Sequence, residues 1–219
     1  MPPRLKVCCL QDEHEVDLAA AAGAHLLGFV GRGLSGPEVI DDDARIARLA
    51  RRVPVGATAV LLTREPDPDV VAARVRATGV GAVQLCDAVP PEVWRAVRRD
   101  APGVRILQVV HVTGPQAIDE ARSLGPEIDV VLLDSGAPAG PSPVYGGTGA
   151  THDWSLSRAI VDLARHPVWL AGGLRSANVA AAVSTVRPAG VDVCSGLRSE
   201  GRLDAEKLGA FAVALRTLA

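Results

Sequence analysis

Short, mostly apolar runs alternate with longer amphipathic stretches eight times along the chain. Leu5 to Leu10, His25 to Val30, Gly56 to Leu62, Ala82 to Leu85, Val104 to Val110, Asp129 to Leu133, Val168 to Ala171 and Val191 to Val193 predict buried strands. Each is short for a helix and too apolar for a strand with one wet face. Between them, Asp12 to Gly23, Asp41 to Val53, Pro68 to Thr78 and Pro115 to Leu124 place aliphatic residues at helical spacing. Asp153 to Arg165 does the same, as do stretches starting at Pro90-Pro91, near Ala177 and near Asp204. Strict alternation of apolar strands with helices predicts a parallel sheet covered on both faces. The helix-to-strand returns AGAHLLGF, TGVGAVQL, LGPEIDVVLL and RPAGVDVC repeat one design, small or turn residues leading into a buried strand. Eight such units predict closure into a (β/α)8 TIM barrel, one domain spanning residues 1–219. No glycine fingerprint follows the first strand, which argues against a dinucleotide fold.

The last two units carry the strongest chemical signal. Val168 to Ala171 opens at Gly172-Gly173, and Val191 to Val193 opens at Ser195-Gly196. Adjacent strands that end in loops with little or no side chain leave backbone N–H groups aimed at one spot, which holds a phosphate without a lysine. In a (β/α)8 barrel the loops after the seventh and eighth strands are where a phosphate site is built. The plainer reading is a pair of tight turns. Their occurrence together at this place favours the cradle.

Composition narrows the partners. Hydrophobic residues make up 48% and charged residues 22%, the balance of a soluble globular protein. A net charge of −2 supplies no field for nucleic acid or an anionic membrane, so a small molecule is the expected partner. No apolar run approaches the ~20 residues of a spanning helix. The opening Met-Pro-Pro-Arg-Leu-Lys lacks a signal-peptide hydrophobic region, so a cytoplasmic protein is expected, with its four cysteines as thiols.

Reactive groups in this fold stand where strands end and loops begin. That rule selects Cys8 and Cys9 on the first strand, Cys86 on the fourth, His111 on the fifth, Asp134 on the sixth and Cys194 at the end of the eighth. Successive strand residues face opposite ways, so only one of Cys8 and Cys9 can point inward. A lone cysteine is ordinarily a small buried hydrophobe. Asp134 is harder to read as structural: a carboxylate directly after Val-Val-Leu-Leu has left the core at the catalytic face, where it can donate a proton. The Gly- and Pro-rich stretch from Asp134 to His152 has the length of a lid. The cysteines and His111 also suggest zinc, although no local Cys-x-x-Cys spacing supports it.

The order of motifs then becomes familiar. Lys6-Val7-Cys8, Gly28-Phe29-Val30, Val83-Gln84-Leu85, Leu132-Leu133-Asp134-Ser135, Gly146-Gly147-Thr148-Gly149, Asp153-Trp154-Ser155, Leu170-Ala171-Gly172-Gly173-Leu174, Asn178-Val179 and Val186 to Val193 resemble the phosphoribosylanthranilate isomerases of tryptophan biosynthesis. The resemblance covers nearly the whole chain and is most specific from Leu132 onward. It implies an Amadori rearrangement with no cofactor and no metal, on a small-molecule phosphosugar, by a monomer or homodimer. It implies that Cys8 is the general base and Asp134 the general acid. The acid protonates the furanose ring oxygen and opens the ring to a protonated imine. The base removes the proton from the sugar's second carbon, and the enolamine becomes the aminoketose. Gly172, Gly173, Ser195 and Gly196 match the phosphate cradle, and Gln84, Cys86 and Gly147 fall at substrate-side positions.

Three departures bear on specificity. Cys9 stands where the family usually has glycine. Ser35-Gly36-Pro37 replaces a Ser-Pro-Arg whose arginine meets the anthranilate carboxylate. Gln84-Leu85-Cys86-Asp87 replaces Gln-Leu-His-Gly. The acid, base and phosphate half are intact, whereas the half that reads the aromatic acid is rewritten. Arg32 and Arg64, each just beyond a strand, are the candidate replacements for the missing arginine. The alternatives are the same isomerisation on another N-linked ribose 5-phosphate adduct, or a non-catalytic phosphosugar-binding protein.

Overall fold

A computed structural model describes residues 3–34, 36–136 and 151–218. Its principal strands are β1 (Arg4–Val7), β2 (Leu26–Gly31), β3 (Thr58–Thr63), β4 (Ala82–Leu85), β5 (Arg105–His111), β6 (Val130–Asp134), β7 (Val168–Leu170) and β8 (Gly190–Val193). They alternate with α1 (Glu13–Ala21), α2 (Asp43–Arg52), α3 (Pro68–Thr78), α4 (Pro91–Asp100), α5 (Gln116–Ser123), α6 (Trp154–Leu163), α7 (Val179–Val186) and α8 (Ala205–Arg216). The sheet order is β1-β8-β7-β6-β5-β4-β3-β2, and β1 also pairs with β2. This is the closed, parallel (β/α)8 connectivity that the alternation predicts. Among the described residues no helix is long and apolar enough to cross a membrane.

The chain divides into two compact units. One holds residues 1–6, 109–124 and 130–219, and the other holds residues 7–108 and 125–129. Five helices begin the same way in both units. Asp12, Asp42, Asp67, Asp153 and Asp204 each cap a helix by accepting a backbone N–H from its first turn. Pro68 and Pro91 open α3 and α4, where a missing N–H costs nothing. Such caps are readable in sequence because they need one residue type at one offset.

Some boundaries differ from the sequence expectation. The first strand stops at Val7 rather than Leu10, because Cys9 has φ +67 and turns the chain out of the extended conformation. Leu10 then returns to β2 by donating its N–H to the Gly28 carbonyl at 2.9 Å. Helix α7 starts at Val179 rather than near Ala177, since the preceding residues form the loop that Asn178 fastens. Two short elements escaped the hydrophobic pattern. Val39–Ile40 pairs in parallel with Val30–Gly31, and Arg198–Ser199 forms an antiparallel pair with Arg202–Leu203.

The strands' apolarity has one sharp exception within the first unit. Lys6 is fully buried, and its Nζ donates to Asp192 Oδ2 at 2.6 Å, joining β1 to β8. Burial pushes the Asp192 carboxyl up from its ordinary range, against the opposing pull of the Lys6 ammonium. Such a pair is held by its mutual neutralisation, so removing one partner strands the other. Lys6→Met is expected to lower stability by about 3–5 kcal/mol. Lys6→Met with Asp192→Leu should recover most of the loss, as measured by urea denaturation.

Candidate active site

The first unit contains Asp134 and both candidate phosphate loops. Asp134 is the last residue of β6 and is half-buried. Its Oδ1 accepts the Ser135 backbone N–H at 2.8 Å, and its carbonyl accepts the Val112 N–H at 2.9 Å. The carboxylate is therefore set by its own strand end. It also acts on His152, whose imidazole is held below its ordinary pKa by burial, opposed by the Asp134 and Asp153 charges. His152 Nε2 lies 2.6 Å from the buried Ser157 hydroxyl at the start of α6.

The loop after β7 reaches back to the acid. Gly172 has φ +87, and a Cβ there would come within 2.8–3.0 Å of Ser135. Only glycine permits both that backbone conformation and that approach. Gly173 also has positive φ, and its carbonyl accepts from Asn178 Nδ2 at 2.9 Å, while Asn178 Oδ1 accepts the Arg175 N–H at 2.8 Å. One carboxamide thus fastens both sides of the loop. After β8 the chain makes a 3-10 turn, Ser195–Leu197, closed by Leu197 N–H to the Cys194 carbonyl at 3.0 Å. A Cβ on Gly196 would collide with the Leu174 carbonyl, so the two loops are packed main chain against main chain. Gly172, Gly173, Ser195 and Gly196 lie in these two loops, all half-buried. Gly196→Ala must part the loops, because a backbone carbonyl has no rotamer to escape to. Such overpacking costs about 1–3 kcal/mol. For the phosphate cradle proposed below, that amounts to about five- to 150-fold weaker binding of a phosphate ester. The readout is KM, with inorganic phosphate as competing ligand.

The second unit contains Cys8, Cys9, Cys86 and the rewritten half. Cys8 follows β1 directly and is buried, with Gly28 of β2 beneath it. A Cβ on Gly28 would lie 3.3 Å from the Cys8 Sγ, so this glycine makes room for the sulfur. The Cys9 thiol donates to Cys8 Sγ at 3.6 Å. Arg64, just past β3, and Asp87, past β4, form a half-buried ion pair with Nε donating to Oδ2 at 2.5 Å. Gln108 secures this pair from below. Its Nε2 donates to the Asp87 carbonyl at 2.8 Å, and its Oε1 accepts from Trp94 Nε1 at 3.0 Å. Gln84 and Cys86 share one side of the β4 end, with Gln84 Nε2 donating to Cys86 Sγ at 3.6 Å. Gln84 Oε1 is buried and has no hydrogen-bond partner among the described residues.

The two arginines are placed differently. Arg32 is 58% exposed, and its nearest carboxylate is Asp43 at 3.8 Å. The buried Arg74 takes Asp43 more closely, at 2.8 Å, and also donates to the Arg32 carbonyl and the Thr63 hydroxyl. Arg64 shares its part of the unit with Asp87, Gln84 and Cys86. Gly147 and the proposed lid lie outside the described residues, apart from the lid's two ends. Among the described residues no three His, Cys, Asp or Glu side chains form a group able to hold a metal ion, so the zinc alternative finds no cluster.

A family model described as "PRAI: N-(5'phosphoribosyl)anthranilate (PRA) isomerase" matches residues 5–214. The chain belongs to the phosphoribosylanthranilate isomerase family. Among relatives, N-(5'-phosphoribosyl)anthranilate isomerase of Myxococcus xanthus is 37% identical over 221 residues, covering 100% of this chain and 98% of that protein. The protein of the same name from Methanocella arvoryzae is 36% identical over 200 residues, 91% of each chain. Among solved structures, phosphoribosyl anthranilate isomerase from Thermus thermophilus superposes with a TM-score of 0.82 at 26% identity, covering 99% of this chain and 100% of that one. The resemblance seen in the motifs is thus a full-length membership.

Within this family setting, three features lie outside the motifs. Asp87 as the partner of Arg64 required knowing that two consecutive strand ends are neighbours. Gln108, which secures the Asp87 loop, looks like one polar residue in a strand. The signal for the Lys6–Asp192 pair was present as one lysine in Leu-Lys-Val and one aspartate in Val-Asp-Val. Single opposite charges in two otherwise apolar strands imply that the strands are adjacent.

Proposed function

We propose that this chain catalyses the Amadori rearrangement of N-(5'-phosphoribosyl)anthranilate to the 1-deoxyribulose 5-phosphate aminoketose, as a single cytoplasmic domain acting as a monomer or homodimer. The observation that carries the reading is the family match over residues 5–214 in a chain that retains Cys8, Asp134 and both glycine loops. Asp134 gives its proton to the furanose ring oxygen as the C1–O bond breaks, leaving a protonated imine. Cys8 sulfur takes the proton from C2, and the C–H electron pair forms the enolamine, which tautomerises to the ketose. Every step is a proton transfer, so two side chains in opposite protonation states suffice. Gly172, Gly173, Ser195 and Gly196 hold the 5'-phosphate through main-chain N–H groups, leaving the net charge of the site to the reacting carboxyl and thiol.

Arg64 takes the anthranilate carboxylate in place of the arginine that Pro37 displaces. A guanidinium carries five donors, enough to hold Asp87 and a substrate carboxylate at once. Gln84 and Cys86 border the same position, while Arg32, largely in solvent, contributes little. Arg64→Ala is expected to raise KM by about ten- to hundredfold, the value of a charge-assisted hydrogen bond of about 1.5–3 kcal/mol. Arg32→Ala should leave KM within about twofold, since exposed charges contribute little.

The rewritten aglycone half favours one further possibility, the same chemistry on another ribosylamine 5-phosphate. Purified protein assayed by fluorescence against phosphoribosylanthranilate and a panel of such adducts separates the two. Ordinary turnover of the anthranilate adduct supports the main reading. Turnover confined to another member of the panel replaces it.

A further inference from the structure

The chain holds a second sulfur beside the proposed base, in a conformation that a side chain disfavours. Cys8 is 6% exposed and Cys9 half-buried, and their sulfurs are 3.6 Å apart. Cys9 adopts φ +67, the left-handed region where glycine is at ease and a residue with a Cβ is strained. This is the position at which the family resemblance leads one to expect glycine. The backbone there has kept the shape that suits glycine while gaining a thiol.

We propose that Cys8 and Cys9 form a modification site for hydroperoxides, closing into a vicinal disulfide that reversibly switches the enzyme off. The Cys8 sulfur attacks one peroxide oxygen, the O–O bond breaks, and hydroxide leaves to be protonated to water. The Cys9 thiol then attacks the resulting sulfenic sulfur, the S–O bond breaks, and a second water departs. Two thiols supply two electrons and two protons, and one hydroperoxide is reduced. No other oxidant is required. Hydrogen peroxide is small enough to reach a sulfur that is buried behind an accessible neighbour.

The geometry fits closure and also fits reversal. Bringing 3.6 Å to the ~2.05 Å of a disulfide needs about 1.5 Å of approach. Adjacent Cα atoms stand about 3.8 Å apart across a trans peptide, below the usual ~4.4–6.8 Å span of a relaxed disulfide. A bridge formed here is strained, and strained bridges are the more easily reduced ones. The product is therefore a labile cap rather than a permanent crosslink. It also shields Cys8 from the irreversible sulfinic and sulfonic states. The loss of activity rests on Cys8 acting as the base, whereas the closure itself does not.

The test uses the reduced full-length protein treated with stoichiometric hydrogen peroxide, quenched and alkylated. Peptide mass spectrometry should show the Cys8-Cys9 peptide lighter by two hydrogens and unalkylated, with Cys86 and Cys194 still alkylated. Turnover should fall in step with that peptide and return fully with dithiothreitol. Cys9→Gly, which suits φ +67, should retain turnover before treatment. In that variant stoichiometric peroxide should leave a Cys8 sulfenic acid that dimedone traps, and excess peroxide should carry it to the sulfinic acid, which dithiothreitol does not recover, whereas the parent still recovers. Absence of the closed peptide, or recovery of Cys9→Gly as complete as the parent's after excess peroxide, would overturn the inference and leave the proposed reaction standing. A closed peptide with undiminished turnover would overturn the switch and remove Cys8 from the proposed chemistry.

Discussion

Asp134→Asn is expected to reduce kcat by about 10²–10⁴-fold, the contribution of a general acid. Asparagine is the sharp test because it keeps nearly everything except the proton. Its Oδ1 can still accept the Ser135 N–H that Asp134 accepts at 2.8 Å, and the backbone bond from Val112 is unchanged. Ser135 therefore remains against Gly172, and the Gly172 loop keeps its support. Binding of a phosphate ester should stay within a few-fold of the parent. A fall in kcat with steady phosphate affinity identifies a lost proton donor. A parallel fall in both would instead make Asp134 a brace for the Gly172 loop.

Cys8→Ser should have an effect of the same order on kcat, for the complementary reason. Serine preserves the size class of the side chain above Gly28, where the sulfur fits at the distance a Cβ would contest. A hydroxyl ionises far less readily than a thiol, so the variant lacks a competent base at neutral pH. The prediction has an isotopic signature. Substrate deuterated at C2 should show a rate difference in the parent if proton abstraction limits turnover, and whatever turnover survives in Cys8→Ser should be limited by that step. Substitution of Cys9 by glycine should not reproduce the loss. That contrast assigns the base to one of two adjacent sulfurs.

What the sequence disclosed followed from periodicity and from position. Eight apolar runs separated by capped amphipathic stretches admit few arrangements, and the parallel closed sheet is one of them. Asp134 was legible because it is the one carboxylate that immediately follows Val-Val-Leu-Leu. The glycine loops were legible because two side-chain-poor turns follow consecutive strands. The end of the first strand was not, since nothing in Val-Cys-Cys-Leu announces a left-handed residue. The Arg64–Asp87 pair joins residues 23 positions apart. Sequence could offer Arg32 and Arg64 as equals, and only their surroundings separate them, one turned to solvent and Asp43, the other gripped at a strand end. Lys6 and Asp192, 186 positions apart, make the same point more strongly. A buried charge names its need for a partner but not the partner.

In the proposed reaction one sulfur and one carboxyl carry opposite proton transfers on a ribosylamine phosphate. The most direct measurement is turnover of phosphoribosylanthranilate by the parent, Cys8→Ser and Asp134→Asn, each at matched folded concentration and with a chelator present. Turnover by the parent is expected, with a rate at least about a hundredfold lower in each variant and phosphate affinity retained. Parent-like turnover in either variant would contradict it.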